Sequence, residues 1–558
     1  MRKRLKPAGK DGFDTTRSVE QGAIRKNTKG LIKAALVYPN TYTAGMSSLG
    51  FQTVYRLLNQ MDHVACQRVF LPDAEKKTRQ VKSIESGFRL DQFDIIFFSI
   101  SFENDFLHLV QLLGEAGIPL RSPDRNHLHP LVVAGGVACF LNPEPIAPFM
   151  DLFLLGEAEC LVKPFFDAYE KNLDRTSFLQ TLEQTLPGAY VPALHTDNTP
   201  FQIQVQYLKN LDKISTFTTI LTTRTAFKDA FLIEILKGCP HGCRFCSSGF
   251  IYRPPRIYPA KNIMACMDNA SGKTDKIGLV SSAIADHPDI EEICTYGKSR
   301  NFKLSFSSLR ADKLCDRLIS VLSSSGVKTA TIAPEAGSER MRSVINKKIK
   351  EKDILHAARR LVEEGIINIK LYFMIGLPFE ETADIHAIVE LTKKIKSEFL
   401  DASKKKHKIG TITLSINPFI PKPFTPFQWA PMEKTAILKQ RVDIICQGLK
   451  NTANVKVNVE SLRKAKINAL LSLGDRKTAD ILEYALLKGW SSAMKENQQY
   501  CEKVVHGEKQ IDSPLPWDFL DNRIKKEFLA EEFKKAGKEK ISASCPMTDC
   551  TVCRICIK

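Results

Sequence analysis

The sequence predicts an α/β protein: an N-terminal doubly wound parallel sheet, a central partial (β/α)6 barrel, and a helical C-terminal region with a cysteine-rich tail. Three observations carry that prediction. Apolar strand-like runs alternate with helical stretches over residues 31–195, the pattern of a parallel sheet with crossover helices. The alternation restarts near residue 230 and runs to 432 through six strand–helix units, too few for an eight-fold barrel and suited to an open partial one. From 433 onward helical periodicity takes over.

Taken in order, residues 1–30 are polar and basic and read as an arm. In the first unit Leu31–Tyr38 reads as a strand, Gly50–Asn59 as a helix, Phe93–Ser101 as a strand and Asp105–Ala116 as a helix. Leu131–Ala134 is a strand ending at Gly135-Gly136, and Leu152–Leu155 is another before Gly156-Glu157. Ligands of such sheets bind at the loops that follow the strands. Gly135 and Gly136 allow close backbone approach there, or simply a tight turn. Residues 196–229 read as a connector. The strands of the second unit are Phe231–Leu236, Lys276–Ser281, Lys303–Ser307, Thr329–Ala333, Ile367–Ile375 and Gly410–Asn417, with amphipathic helices such as Lys352–Glu364 between them. Helices at Thr435–Lys450, Ser461–Leu473, Arg476–Lys488 and near Arg523–Lys535 fill 433–540, and the tail occupies 541–558.

At 558 residues the chain is expected to form about three or four domains. Its 43% hydrophobic and 25% charged residues are those of an ordinary globular protein. No apolar run reaches the roughly 18 residues of a membrane span, and the basic N-terminus Met1-Arg-Lys-Arg-Leu-Lys6 has no apolar stretch after it. A membrane role and a secretory signal are therefore not expected, and a cytoplasmic location is. Eighty Lys and Arg against 62 Asp and Glu give a net charge of +18, which favours anionic partners such as RNA or phosphorylated cofactors. The densest basic run, Lys404–Lys408, reads as a surface loop.

Fifteen cysteines in such a chain argue against a disulfide framework. Eight are scattered singly and suit core packing. Three stand in Gly238-Cys239-Pro240-His241-Gly242-Cys243-Arg244-Phe245-Cys246, in the loop after the first strand of the second unit. Thiolates are the normal ligands of iron–sulfur clusters. Three of them hold three irons of a 4Fe–4S cube and leave the fourth open to a substrate. The competing reading is structural zinc, which needs a fourth ligand. His241 is the nearest one, wedged between the cysteines of a short loop.

This run resembles the signature of the radical S-adenosylmethionine (SAM) enzymes. The resemblance implies that Cys239, Cys243 and Cys246 hold a 4Fe–4S cluster whose open iron chelates SAM, and that one electron releases a 5′-deoxyadenosyl radical. It places Phe245 along the adenine and backbone groups of Ser281 and Ser282 near the SAM amino group, although the common Gly-Gly-Glu form is lacking there. Glu335, in Pro334-Glu-Ala-Gly-Ser338, becomes a candidate SAM contact, or else a helix-start carboxylate. Gly376, in Met374-Ile-Gly-Leu-Pro378, would help admit the adenosyl group. Gly249–Arg256, Pro421–Trp429 and Thr43–Gly50 are similar to an uncharacterised group of radical SAM proteins with an N-terminal cobalamin-binding-like domain. Arg253 and Arg256 are read as holders of a phosphate or carboxylate, or as structural residues.

In that group cobalamin lies at the ends of the N-terminal strands, by the Gly135-Gly136 loop and the stretch Gly156-Glu-Ala-Glu159. The Asp-x-His-x-x-Gly motif that supplies a lower histidine ligand is missing here, and no histidine occurs between Leu31 and Met61. Bound cobalamin would point to methyl transfer. Without it, the domain would be vestigial or bind substrate.

In the tail, Cys545, Cys550, Cys553 and Cys556 place four thiols within twelve residues. Their Cys-x-x-Cys steps fit a second iron–sulfur cluster, and a zinc knuckle is the competing reading. No flavin or nicotinamide fingerprint occurs, so a separate ferredoxin or flavodoxin is the expected reductant. The leading expectation is a transferase acting on RNA or another large anionic substrate. The alternative is a metal-dependent RNA-binding protein with reduced catalysis.

Overall fold

The computed structural model describes residues 19–72, 80–169, 174–195, 200–307, 309–404, 409–547, 550, 553, 555 and 556. The first eighteen residues of the basic arm and Lys405–Lys408 of the basic run lie outside these.

The N-terminal sheet has six strands: β1 (Ile32–Tyr38), β2 (Val64–Phe70), β3 (Ile95–Ser99), β4 (Leu131–Gly135), β5 (Leu152–Leu154) and β6 (Ala189–Tyr190). Their order is β2-β1-β3-β4-β5-β6; all neighbours pair in parallel except β5 with β6. Strand residues alternate between two cores, as a period of two requires. Ala35, Val37, Ile96, Phe98, Val132 and Ala134 enter one, and Ala34, Leu36, Ile95, Phe97, Leu131 and Val133 the other. Helices α1 (Leu49–Gln60), α2 (Phe106–Glu115) and α3 (Ala158–Ala168) cover the faces. The strand order reverses between β1 and β3, which opens a crevice at the carboxyl ends of these strands.

Strand β2 was not expected from the sequence, because Gln67 and Arg68 interrupt its apolar pattern. Both are buried, with Arg68 1% exposed. The guanidinium of Arg68 donates twice to Glu20, at 2.8 Å each, and once to Glu85 at 2.7 Å. Glu20 belongs to a two-residue strand paired with Leu221-Thr222. The part of residues 1–30 from Val19 onward is therefore built into the fold and is not a free arm.

The second unit holds β7 (Phe231–Glu234), β8 (Lys276–Val280), β9 (Lys303–Phe306), β10 (Thr329–Glu335), β11 (Asn368–Ile375), β12 (Ile412–Pro418) and β13 (Val455–Val459). They form two parallel sheets, β7-β8-β9 and β10-β11-β12-β13, joined by a parallel bridge between Leu309 and Ile332. The six expected strands are present. The seventh, β13, falls in the region expected to be mostly helical. Its sequence Val-Lys-Val-Asn-Val alternates, but it is a half-exposed edge strand just after helix α4 (Thr435–Leu449).

The C-terminal region packs back on both units. Trp517, Leu529 and Ala530 join the core that holds Val37, Phe98 and Phe250. The last helix, α5 (Lys526–Gly537), lies against the segment Pro426–Trp429 and carries the chain to the cysteine loop.

Candidate active site

Just past β7, the pair Leu236-Lys237 meets Arg256-Ile257 in a short antiparallel ribbon, which closes residues 238–255 into a compact loop. Gly238 has φ +85°, and a Cβ there would lie 2.8 Å from the Tyr252 Cβ, so only glycine fits the bend. Further hydrogen bonds set the loop. The Cys246 amide donates to the Cys243 carbonyl at 3.0 Å, Asn346 Nδ2 to the Gly242 carbonyl at 2.9 Å, and Arg253 Nε to the Gly249 carbonyl at 2.6 Å. Arg253 is thus a structural residue of the loop. Arg244, between two of the cysteines, is fully buried and bonds Glu532, the Ser343 and Val344 carbonyls and the Lys540 carbonyl.

Of the three cysteines, Cys243 is buried and Cys239 and Cys246 are partly buried. Burial and the neighbouring Cys243 push the Cys239 thiol up to about 12, and the same two causes raise Cys246. Two cations, Lys347 and Arg310, lie within electrostatic reach of Cys243. Burial opposes the charge of Lys347, but Glu335 and Cys243 outweigh it and raise its pKa. For Arg310, Cys243, Asp312 and Asp286 likewise outweigh burial. Cysteine thiolates are the form that ligates metal, and nearby positive charge favours that form. Three sulfur donors fit three irons of a cube. The imidazole of His241 is already engaged, with Nε2 2.9 Å from Asp286 Oδ2 and Nδ1 3.4 Å from Ser544 Oγ, so it does not complete a zinc tetrahedron. Among the described residues, no three His, Cys, Asp or Glu side chains close around a single-ion point.

Phe245 packs with Ala336, Leu377, Phe419 and Phe427, at the carboxyl ends of β10, β11 and β12. Glu335 ends β10 with φ +67° beside a register shift, and Lys347 Nζ donates to its carboxylate at 3.1 Å. Its environment is that of an ion pair at the cysteine loop, not of a helix start. Gly376 has φ +79°; its Cα faces Leu438 and Glu433, and its amide donates to Glu380 at 2.7 Å. The Ser281 backbone is tied to Ser307: its carbonyl accepts from Ser307 Oγ at 2.8 Å, and its amide donates back to the same oxygen at 3.2 Å. Ser282 is exposed beside it.

Ser281, Ser282, Gly135 and Gly136 come together around a cavity of about 580 Å³, where the strand ends of the two units face each other. Its lining includes the apolar Leu36, Phe97, Val133, Leu154 and Val162 together with Gly50, Gly156 and Gly238. Such a volume is typical of small-molecule and cofactor sites. Gly136 is demanded by its own backbone: φ is +105°, and a Cβ would sit 2.4 Å from the Ile100 carbonyl oxygen. One wall is charged. Lys237 Nζ lies 3.4 Å from Glu159 and 4.0 Å from Glu234, and Arg256 donates to Glu157 at 2.6 and 3.0 Å. Burial holds the Glu234 carboxyl above its usual range. Arg256 therefore has a structural partner across the two units. Lys237, Glu234, Lys347 and Arg310 were not singled out from the sequence, where nothing but the position of Lys237 beside Gly238 marks them.

Comparison with known proteins places this geometry. Residues 50–192 match the family of radical SAM proteins, N-terminal, and residues 233–392 match the radical SAM superfamily. An uncharacterized protein of Methanocaldococcus jannaschii, MJ0966, is 31% identical over 461 residues, covering 82% of this chain and 92% of its own. The chain belongs to the radical SAM superfamily. The superfamily's 4Fe–4S cluster and SAM are its cofactors. Among solved structures, the radical SAM methyltransferase TsrM from Kitasatospora setae, with cobalamin and a [4Fe-4S] cluster bound, has a similar fold. The TM-score is 0.50 at 10% identity, over 84% of this chain and 99% of that one. No helix among the described residues of this radical SAM protein is long and apolar enough to cross a membrane.

Proposed function

We propose that this radical SAM protein cleaves SAM reductively at a cluster held by Cys239, Cys243 and Cys246, and that it uses cobalamin to transfer a methyl group to RNA or another large anionic substrate. The cavity between the two units is the observation that carries this reading. It lies at the switch point of the N-terminal sheet, where ligands of such sheets bind, and reaches Gly238 beside the first cysteine. Bound in the loop, a 4Fe–4S cluster supplies the electron that breaks a carbon–sulfur bond of SAM. Bound in the cavity, cobalamin supplies the methyl carrier. The residues present, apolar side chains and several glycines, fit a corrin. Among the described residues, the cavity lining includes no His, Cys or Met.

In this reading the protein's own residues position and exclude. Phe245 packs along the adenine side, Lys347 and Arg310 offset the negative charge of the thiolates, and Glu335 orients Lys347. Ser281 and Ser282 line the passage between loop and cavity. The +18 charge supports an anionic macromolecule as substrate, and a low-potential ferredoxin or flavodoxin as reductant. The membership, the charge and the fold together support a non-membrane, cytoplasmic enzyme.

The test is corrinoid retention. Anaerobically purified protein mixed with hydroxocobalamin should keep about one corrinoid per chain through gel filtration. Gly50→Trp should abolish this and leave the iron content intact, because a Cβ at Gly50 meets only Ser48 Oγ, at 3.8 Å, and the indole would fill the cavity. Label from methyl-labelled SAM should then appear in RNA. Retained corrinoid in Gly50→Trp would refute the cavity assignment. Tight RNA binding without SAM cleavage would favour a binding protein with reduced catalysis.

A further inference from the structure

We propose that Cys545, Cys550, Cys553 and Cys556 hold a second four-iron cluster, and that this tail site passes single electrons to the loop at Cys239, Cys243 and Cys246. This rests on the SAM-cleaving reading of the loop.

The tail is fastened onto the loop at several points. The Cys545 amide donates to the Pro240 carbonyl at 2.7 Å, so one hydrogen bond joins the first tail cysteine to the residue after Cys239. Ser544 Oγ lies 3.4 Å from His241 Nδ1 and accepts from Lys348 Nζ at 2.7 Å. The Ser542 amide donates to Asn346 Oδ1 at 2.9 Å, and the same Asn346 side chain holds the Gly242 carbonyl. Ser542 Oγ also donates to Glu532, the partner of Arg244. All of these links but the one to Lys348 run to the loop or to a residue that braces it. A tail with no business at the loop has no need of this arrangement.

The four cysteines fall within twelve residues of the chain. Cys553 is 2% exposed, and the other three are half-buried. Cys545-x4-Cys550-x2-Cys553-x2-Cys556 combines two ferredoxin spacings. Placement beside a redox site favours iron over zinc, which carries no electron.

The electron count closes. A low-potential one-electron donor of the ferredoxin or flavodoxin class reduces the tail site from its 2+ to its 1+ core. The tail site returns to 2+ as the loop site becomes 1+. That electron enters the carbon–sulfur bond of SAM as it breaks; methionine leaves with the sulfur lone pair, and the 5′-deoxyadenosyl fragment keeps the unpaired electron.

The test uses full-length protein reconstituted anaerobically with iron and sulfide. Wild type should carry about eight irons and the Cys550→Ser/Cys556→Ser variant about four. The ratio of 5′-deoxyadenosine formed with reduced flavodoxin to that formed with dithionite should fall at least tenfold in the variant. Electron paramagnetic resonance of dithionite-reduced wild type should show two interacting signals, a readout that does not need the variant to fold. Four irons in wild type, stoichiometric zinc, a single isolated signal, or an unchanged reductant ratio would each overturn the relay. Eight irons with no SAM cleavage under either reductant would instead overturn the SAM-cleaving reading of the loop, leaving the tail cluster in place.

Discussion

The Glu157 carboxylate accepts two hydrogen bonds from the Arg256 guanidinium, at 2.6 and 3.0 Å, and so ties the N-terminal sheet to the segment that follows the cysteine loop. Glu157 also takes the Leu208 amide at 3.0 Å, and Arg256 stacks over Tyr207. Both side chains are over nine-tenths buried. Removing one partner leaves the other charge buried and unpaired, which costs about 3–5 kcal/mol. Glu157→Gln should therefore lower unfolding stability by about that amount in urea titration, and corrinoid retention with it. A loss under about 1 kcal/mol, as for an exposed pair, would show that the bridge is solvated.

Arg244 braces the loop from beneath through Glu532 and three backbone carbonyls. Lysine has neither the planar fork nor enough donors to replace it. Arg244→Lys should retain less than half of the wild-type iron after gel filtration, even where its far-UV circular dichroism is unchanged. Full iron retention would show that the loop holds its shape without this brace.

Glu380 gives stability a pH dependence. Burial lifts its carboxyl to about 7, Arg441 opposing, and the carboxyl holds the Gly376 amide. Its folded pKa is above the unfolded value, so its contribution is complete below about 4.5 and is lost as pH rises through about 7. The urea midpoint should fall between pH 5 and 8, and Glu380→Gln should flatten that fall. An equal slope in the variant would assign the dependence to other groups.

The parts of this fold that could be read from the sequence are those written locally. The strands of the second unit are apolar runs, and their bounds agree with the structure to within two or three residues. Strand β2 was hidden because a buried arginine stands in it, and its partners Glu20 and Glu85 are far off in sequence. Strand β13 was hidden by lying half-exposed at an edge. In the site, Cys239, Cys243 and Cys246 announce themselves by spacing. Lys347 and Arg310 do not, since only the folded chain brings them to Cys243. Arg256 was conspicuous as a possible anion holder, and its true partner is Glu157.

Lys347 provides a graded test of the loop's electrostatics. Its ammonium donates to Glu335 at 3.1 Å and feels the charge of Cys243. Positive charge near a cluster favours the reduced form. Lys347→Met should shift the midpoint potential of the loop cluster to more negative values in a redox titration followed by electron paramagnetic resonance, and Lys347→Arg should restore most of it. No shift in Lys347→Met would mean that the ammonium does not act on the cluster.

The most direct measurement is 5′-deoxyadenosine formation by anaerobically reconstituted protein given SAM and dithionite, followed by mass spectrometry. Wild type should form it, and Cys243→Ala should form none above the reagent background. Formation in the variant equal to wild type, or none in wild type with a full complement of iron, would contradict SAM cleavage at Cys239, Cys243 and Cys246.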